Sequence, residues 1–142
     1  MSDLLTESRN LSELLLSSSD LAREVFAQIA SSLKVPVPVA RALCLLEKPE
    51  PMSWLAVKLR CDKSYVTPLT DQMEQLGFVR RVPGADRRTK KIELTESGQA
   101  ARNKLEAEIT KRSPMMMKLT KSERQILREL LEKVSKTTVS FE

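Results

Sequence analysis

Histidine is absent from this chain of 142 residues. Without it, a catalytic triad lacks its usual general base and a metal site its commonest nitrogen ligand. Only two cysteines occur, Cys44 and Cys61, too few and too far apart for a zinc site. Glycine is limited to 3 residues, and no glycine-rich loop is present to cradle phosphates. Aromatic residues make up 4% of the chain. No apolar run approaches the ~20 residues of a membrane span, and no basic n-region leads into a signal-like segment. A membrane protein and an exported one are thereby disfavoured, and a cytoplasmic one is expected. An enzyme is excluded on chemistry, since no nucleophile with a positioned base and no metal cluster can be found. No catalytic residue, metal or cofactor is expected.

What remains is helical and basic. Leu, Glu, Lys, Arg and Ser are abundant, which favours a mainly α protein. The length suits one compact domain with a real core and no separate catalytic domain. Lys and Arg number 24 against 19 acidic residues, a formal charge of +5 that suits a polyanionic partner without requiring one.

The most informative stretch runs from Met52 to Thr95. Ser53 can cap a short helix carrying Leu55, Ala56 and Leu59, and Arg60-Cys61-Asp62 then supplies a turn ending in the N-cap candidate Asp62. In the helix that follows, Val66, Leu69, Met73 and Leu76 form one apolar stripe at helical spacing. The opposite side presents Ser64, Thr67, Pro68, Asp71 and Gln75, with Lys63 and Tyr65 on the flanks. The start of such a second helix is where helix-turn-helix proteins read base edges. Pro68 removes one backbone donor and predicts a local bend. Gly77 fits a left-handed C-cap, after which Phe78–Val82 and Lys91–Thr95 read as paired strands. Between Phe78 and Lys91 lie Arg80, Arg81, Arg87, Arg88, Lys90 and Lys91 against one acid, Asp86. A basic hairpin tip suits phosphate contact or an Arg in a narrow minor groove.

The flanks follow helical periods. Residues 1 to 33 predict one long helix bearing Leu4, Leu11, Leu15, Val25, Phe26 and Ile29, with Ser17-Ser18-Ser19-Asp20 as its weak point. Pro38 to Glu47 predicts the central buried helix, with Cys44 inside it. Cys44 and Cys61 both read as small buried hydrophobes rather than redox groups. Trp54 reads as rim packing. Thr95 caps a helix carrying Ala100, Ala101, Leu105 and Ile109 to about Arg112; Met115-Met116-Met117 reads as a flexible apolar connector. Thr120-Lys121-Ser122-Glu123 is a capping-box pattern opening a last helix with Ile126, Leu127, Leu130, Leu131 and Val134. The first and last helices carry more apolar surface than one chain's core requires, and a dimer is the simplest explanation.

Leu55-Ala56, Cys61 through Thr67, Leu76-Gly77-Phe78-Val79, and Asp86-Arg87-Arg88 with Leu94-Thr95-Glu96-Ser97-Gly98 resemble the MarR family of bacterial and archaeal transcriptional regulators. The resemblance runs from about Ser31 to about Leu105. It implies a winged helix-turn-helix with a two- or three-stranded antiparallel wing, flanked by N- and C-terminal dimerisation helices. The expected units are 1–34 (dimerisation helix), 35–95 (DNA-binding region) and 96–142 (dimerisation helices). The resemblance further implies a homodimeric repressor of double-stranded DNA, released by a small aromatic or anionic effector held between the dimer helices and the winged unit. Many relatives carry Arg at the positions of Pro68 and Gln72, so this recognition helix is less cationic, and the wing tip is about one residue shorter than the common pattern. The DNA-binding residues expected are Lys63, Ser64, Tyr65, Thr67, Pro68, Gln72, Arg87, Arg88 and Lys90, with Asp86 orienting Arg88. Peroxide-sensing members carry a reactive Cys in the first helix, and none lies there in this chain. The competing reading is a winged-helix module that binds protein through the same face.

Overall fold

In the computed structural model, residues 2–86 and 88–136 are described. They form seven helices and three strands in the order α1 (Ser2–Ser32), α2 (Val37–Leu45), β1 (Glu50–Pro51), α3 (Met52–Leu59), α4 (Lys63–Gln75), β2 (Val79–Pro83), β3 (Lys90–Leu94), α5 (Glu96–Arg112), α6 (Pro114–Lys118) and α7 (Lys121–Ser135). The fold is a winged helix-turn-helix, mainly α, with a small antiparallel sheet. No described helix is long and apolar enough to cross a membrane.

α1 runs through its serines unbroken. Each Ser costs only a few tenths of a kcal/mol in a helix interior, too little to stop a helix of 31 residues. It ends without glycine: Lys34 takes the left-handed conformation (φ 58°), and the Val35 N–H bonds the Ala30 carbonyl at 2.9 Å. Pro36 and Pro38 then preset the start of α2, which buries Val39, Ala40, Ala42 and Leu43. α2 stops at Leu45 rather than Glu47, because Leu46 turns to extended backbone. Its carbonyl there accepts from Arg102 Nη1 of α5 at 2.8 Å. Arg102 also pairs with Glu106 (2.9 Å) and Glu47 (3.5 Å), so one largely covered guanidinium ties α5 to the end of α2. Cys44 is half-buried rather than fully so. Burial first, and the Glu106 carboxylate second, push its thiol pKa up, against the opposing pull of Arg102.

Glu50–Pro51 is a short strand, which pairs with Ile92 and Lys91 of β3. The sheet order is β1-β3-β2. That pairing sets the start of α3, so Pro51 occupies its N-cap position and Ser53 falls inside the helix without capping it. Asp62 likewise stands at the N-cap of α4 in extended backbone, but its carboxylate accepts no backbone N–H. Along α4, Val66, Leu69 and Met73 are buried as the stripe requires. Leu76 is exposed, and Thr70 takes a buried place instead. Its hydroxyl donates to the Val66 carbonyl at 2.8 Å, which removes the cost of burying it. α4 continues through Pro68 to Gln75.

One core joins these parts: Ile29, Leu43, Leu46, Leu55, Val66, Met73, Ile92 and Leu105 are fully buried together. α5 faces it with Gly98, Ala101, Leu105 and Ile109, while Ala100 turns to solvent. Met115 to Met117 belong to the short helix α6, because Pro114 presets its first turn after Ser113. The capping box of α7 is present, Thr120 accepting from the Glu123 N–H and the Glu123 carboxylate from that of Thr120. α7 has no buried residue within the chain.

The junction of wing and α5 is closely packed. The Thr95 hydroxyl donates to the Gly77 carbonyl (2.5 Å) and accepts from the Gly98 N–H (3.0 Å), and the Thr95 N–H reaches the Phe78 carbonyl (2.9 Å). A Cβ on Gly98 would lie 1.9 Å from the Phe78 oxygen. Gly77 has φ 79° but open space around it. Gly98→Ala should therefore cost about 3 kcal/mol or more through backbone displacement, and Gly77→Ala about 1 kcal/mol through its left-handed backbone alone. Urea unfolding of both variants checks this, and equal losses would refute the assignment.

Candidate nucleic-acid interface

The turn between α3 and α4 is closed by Arg60 in the left-handed conformation (φ 54°), with the Cys61 N–H bonded to the Ala56 carbonyl at 3.1 Å. Cys61 is half-buried against the core. This turn fixes the direction of α4, whose inner stripe is held by the core and whose outer side is left open. Lys63, Ser64, Tyr65, Thr67, Pro68 and Gln72 are all exposed on that outer side. Trp54 is half-buried at the rim, with Lys58 Nζ 5.7 Å from its ring centroid.

The wing is the β2–β3 hairpin, in register from Val79 opposite Leu94 to Pro83 opposite Lys90. At its tip the Gly84 N–H bonds the Thr89 carbonyl at 2.7 Å and the Thr89 N–H bonds the Asp86 carbonyl at 3.0 Å. A Cβ at residue 84 would meet the Thr89 oxygen at 2.4 Å, so the tip closes tightly only with glycine there. The Asp86 carboxylate accepts from the Arg88 backbone N–H at 3.3 Å. Its recorded bond is thus to the main chain of Arg88 rather than to the guanidinium. Arg88 and Lys90 are exposed; Arg87 lies outside the described residues.

The wing's positive charge is smaller than its sequence suggests. Arg80 Nε pairs with Glu93 across the sheet at 2.6 Å, as their register dictates. Arg81 reaches back to α4, bonding Asp71 at 2.7 Å and also Glu74. Those carboxylates lie outside the Phe78–Lys91 interval, so counting charge within it could not find them. Among the described residues no carboxylate pairs with Lys63, Arg88 or Lys90. Cations left for a ligand therefore include Lys63 at the start of α4 and Arg88 and Lys90 near the wing tip.

Arg81 is the link that sequence reading missed, and it holds the wing to the helix. Its side chain is 24% exposed, against 66% for Arg80. Double-mutant cycles should give a coupling of about 1 kcal/mol between Arg81 and Asp71 but no more than about 0.5 kcal/mol between Arg80 and Glu93. A larger value for the second pair would contradict this ranking.

Comparison with known proteins bears on the fold. Residues 40–90 match the model of the MarR family. No curated protein matches the chain. Among solved structures, a cysteine-to-serine mutant of MarR from E. coli complexed with operator DNA is 23% identical, with a TM-score of 0.74 over 92% of this chain and 97% of that one. CouR from Rhodococcus jostii, bound to p-coumaroyl-CoA, is 20% identical, with a TM-score of 0.75 over 94% and 97%. A MarR family protein from Bacillus stearothermophilus is 22% identical, with a TM-score of 0.75 over 92% and 94%.

Proposed function

We propose that this chain, whose residues 40–90 match the MarR family model, is a MarR-type regulator: a homodimeric, sequence-specific DNA-binding repressor of transcription acting in the cytoplasm. The observation that carries the reading is an exposed outer face on α4, a helix tied to the wing strand β2 by Arg81, together with three exposed cations, Lys63 at the start of α4 and Arg88 and Lys90 at the wing tip, that pair with no carboxylate among the described residues. In this reading α4 enters the major groove, where Ser64, Tyr65, Thr67, Pro68 and Gln72 meet base edges. Lys63 and Lys90 contact phosphates, and Arg88 enters the adjacent minor groove, aided by Arg87. Asp86 shapes the tip through its bond to the Arg88 main chain.

The dimer is supported by apolar surface that this chain leaves bare. Leu4, Leu5, Leu11 and Leu14 of α1 and Ile126, Leu130 and Val134 of α7 are each more than half exposed. Covering them with a second copy, through residues 1–34 and 96–142, would place two copies of the 35–95 unit about 34 Å apart on successive major grooves. Effector release is supported by a cavity of about 520 Å3 between α1, α2 and α5, lined by Val25, Phe26, Ile29 and Ile109, with the cation Arg41 at its edge. Its lining suits an apolar, aromatic body with an anionic end. Such a ligand releases DNA only if it binds differently at the two spacings of the recognition helices.

The test is a salt series of binding to DNA from the chain's own upstream region, against an unrelated duplex. A preference of at least about 10³ at physiological salt is expected. Arg88→Ala and Thr67→Val should each weaken operator binding about ten-fold or more, and Arg88→Ala should lower the salt slope by about one. Intact operator affinity in both variants would overturn the residue assignment. Absence of binding to either duplex would favour a protein-binding winged helix.

A further inference from the structure

The outer face of α4 has an unusual chemistry for a base-reading surface, because it offers amide, hydroxyl and apolar groups and almost no charge. We infer that α4 reads a half-site centred on A·T pairs, with Gln72 reading adenine and Arg81 acting as a positioning residue that keeps Asp71 out of the readout. The inference rests on the DNA-binding reading above and names what that surface selects.

Ser64, Pro68 and Gln72 follow one another at steps of four, so they share one stripe of α4. All three are exposed. Four residues advance about 6 Å along a helix axis, under two base-pair steps of about 3.4 Å. The stripe can therefore touch neighbouring base pairs. Each residue type on it has a defined partner. A Gln amide donates and accepts at once, matching N7 and N6 of adenine, and an apolar Pro ring matches the thymine methyl. Guanine is read best by Arg or Lys on O6 and N7. No Arg stands on this face, and Lys63 lies at the flank of the first turn.

Cytosine would be read by a carboxylate accepting from N4, and Asp71 would be placed for it. Arg81 prevents this. Its guanidinium takes Asp71 Oδ1 at 2.7 Å and Glu74 as well, from the neighbouring strand β2. The same pairing neutralises two negative charges that would otherwise face the phosphates. What remains on α4 after that subtraction discriminates A·T from G·C.

The experiment is enrichment of the full-length protein's sites from a randomised duplex library, followed by affinity measurements at fixed salt. A palindrome with A·T pairs at the centre of each half-site is expected. Gln72→Ala should flatten the preference at one base pair per half-site and weaken binding about ten-fold, and Gln72→Arg should move that pair's preference to G·C. Arg81→Met should weaken binding to every duplex, and adding Asp71→Asn to it should restore part of the lost affinity, since Glu74 keeps its charge, which a merely structural role for Arg81 would not allow. Enrichment of G·C at the half-site centre, or an unchanged preference in Gln72→Ala, would overturn the inference while leaving the regulator reading intact. Failure of the double variant to recover would overturn the role given to Arg81. Enrichment of no sequence at all would overturn both the inference and the reading on which it rests.

Discussion

The contact between residue 98 and the carbonyl of Phe78 is the constraint on which the geometry of the winged unit depends. No side chain fits there, since a Cβ would sit 1.9 Å from the oxygen. Because the two backbones can approach, Thr95 can reach Gly77, Phe78 and Gly98 together. Those bonds join the end of α4, the base of the wing and the start of α5 at one point.

α5 carries that constraint towards the rest of the chain. Arg102, one turn beyond Gly98, holds the carbonyl of Leu46 and the carboxylates of Glu47 and Glu106. Further along, Ile109 lines the cavity shared with α1 and α2. A single helix thus contacts the wing junction at one end and the cavity at the other.

Electrostatics refines the same surface. The chain's net charge of +5 describes its average and hides how charge is spent. Arg80 and Arg81 serve the hairpin and its link to α4, whereas Lys63, Arg88 and Lys90 pair with no carboxylate among the described residues.

Helices, strands and the turn chemistry were legible in the residues because they depend on local rules. The stripe Val66, Leu69, Met73, the left-handed Gly77, the Thr95 cap and the Thr120–Glu123 capping box each follow from spacing of a few residues, and each is present. Local signals also misled where a distant partner intervened. Ser53 looked like a cap until β1 paired with β3 and moved the helix start to Pro51. Leu76 looked like core and Thr70 did not, because burial at the end of α4 depends on what packs there. The charge of the wing was overstated for the same reason: Asp71, Glu74 and Glu93 reach Arg81 and Arg80 only through the fold. By itself the sequence determined most of the helices, the two long strands of the wing, the family resemblance and the polar character of α4, all of which are properties of neighbours along the chain. Only the tertiary structure decided which cations are spent on ion pairs, why residue 98 admits no side chain, and where a cavity opens, because these are properties of atoms brought together from remote parts of it.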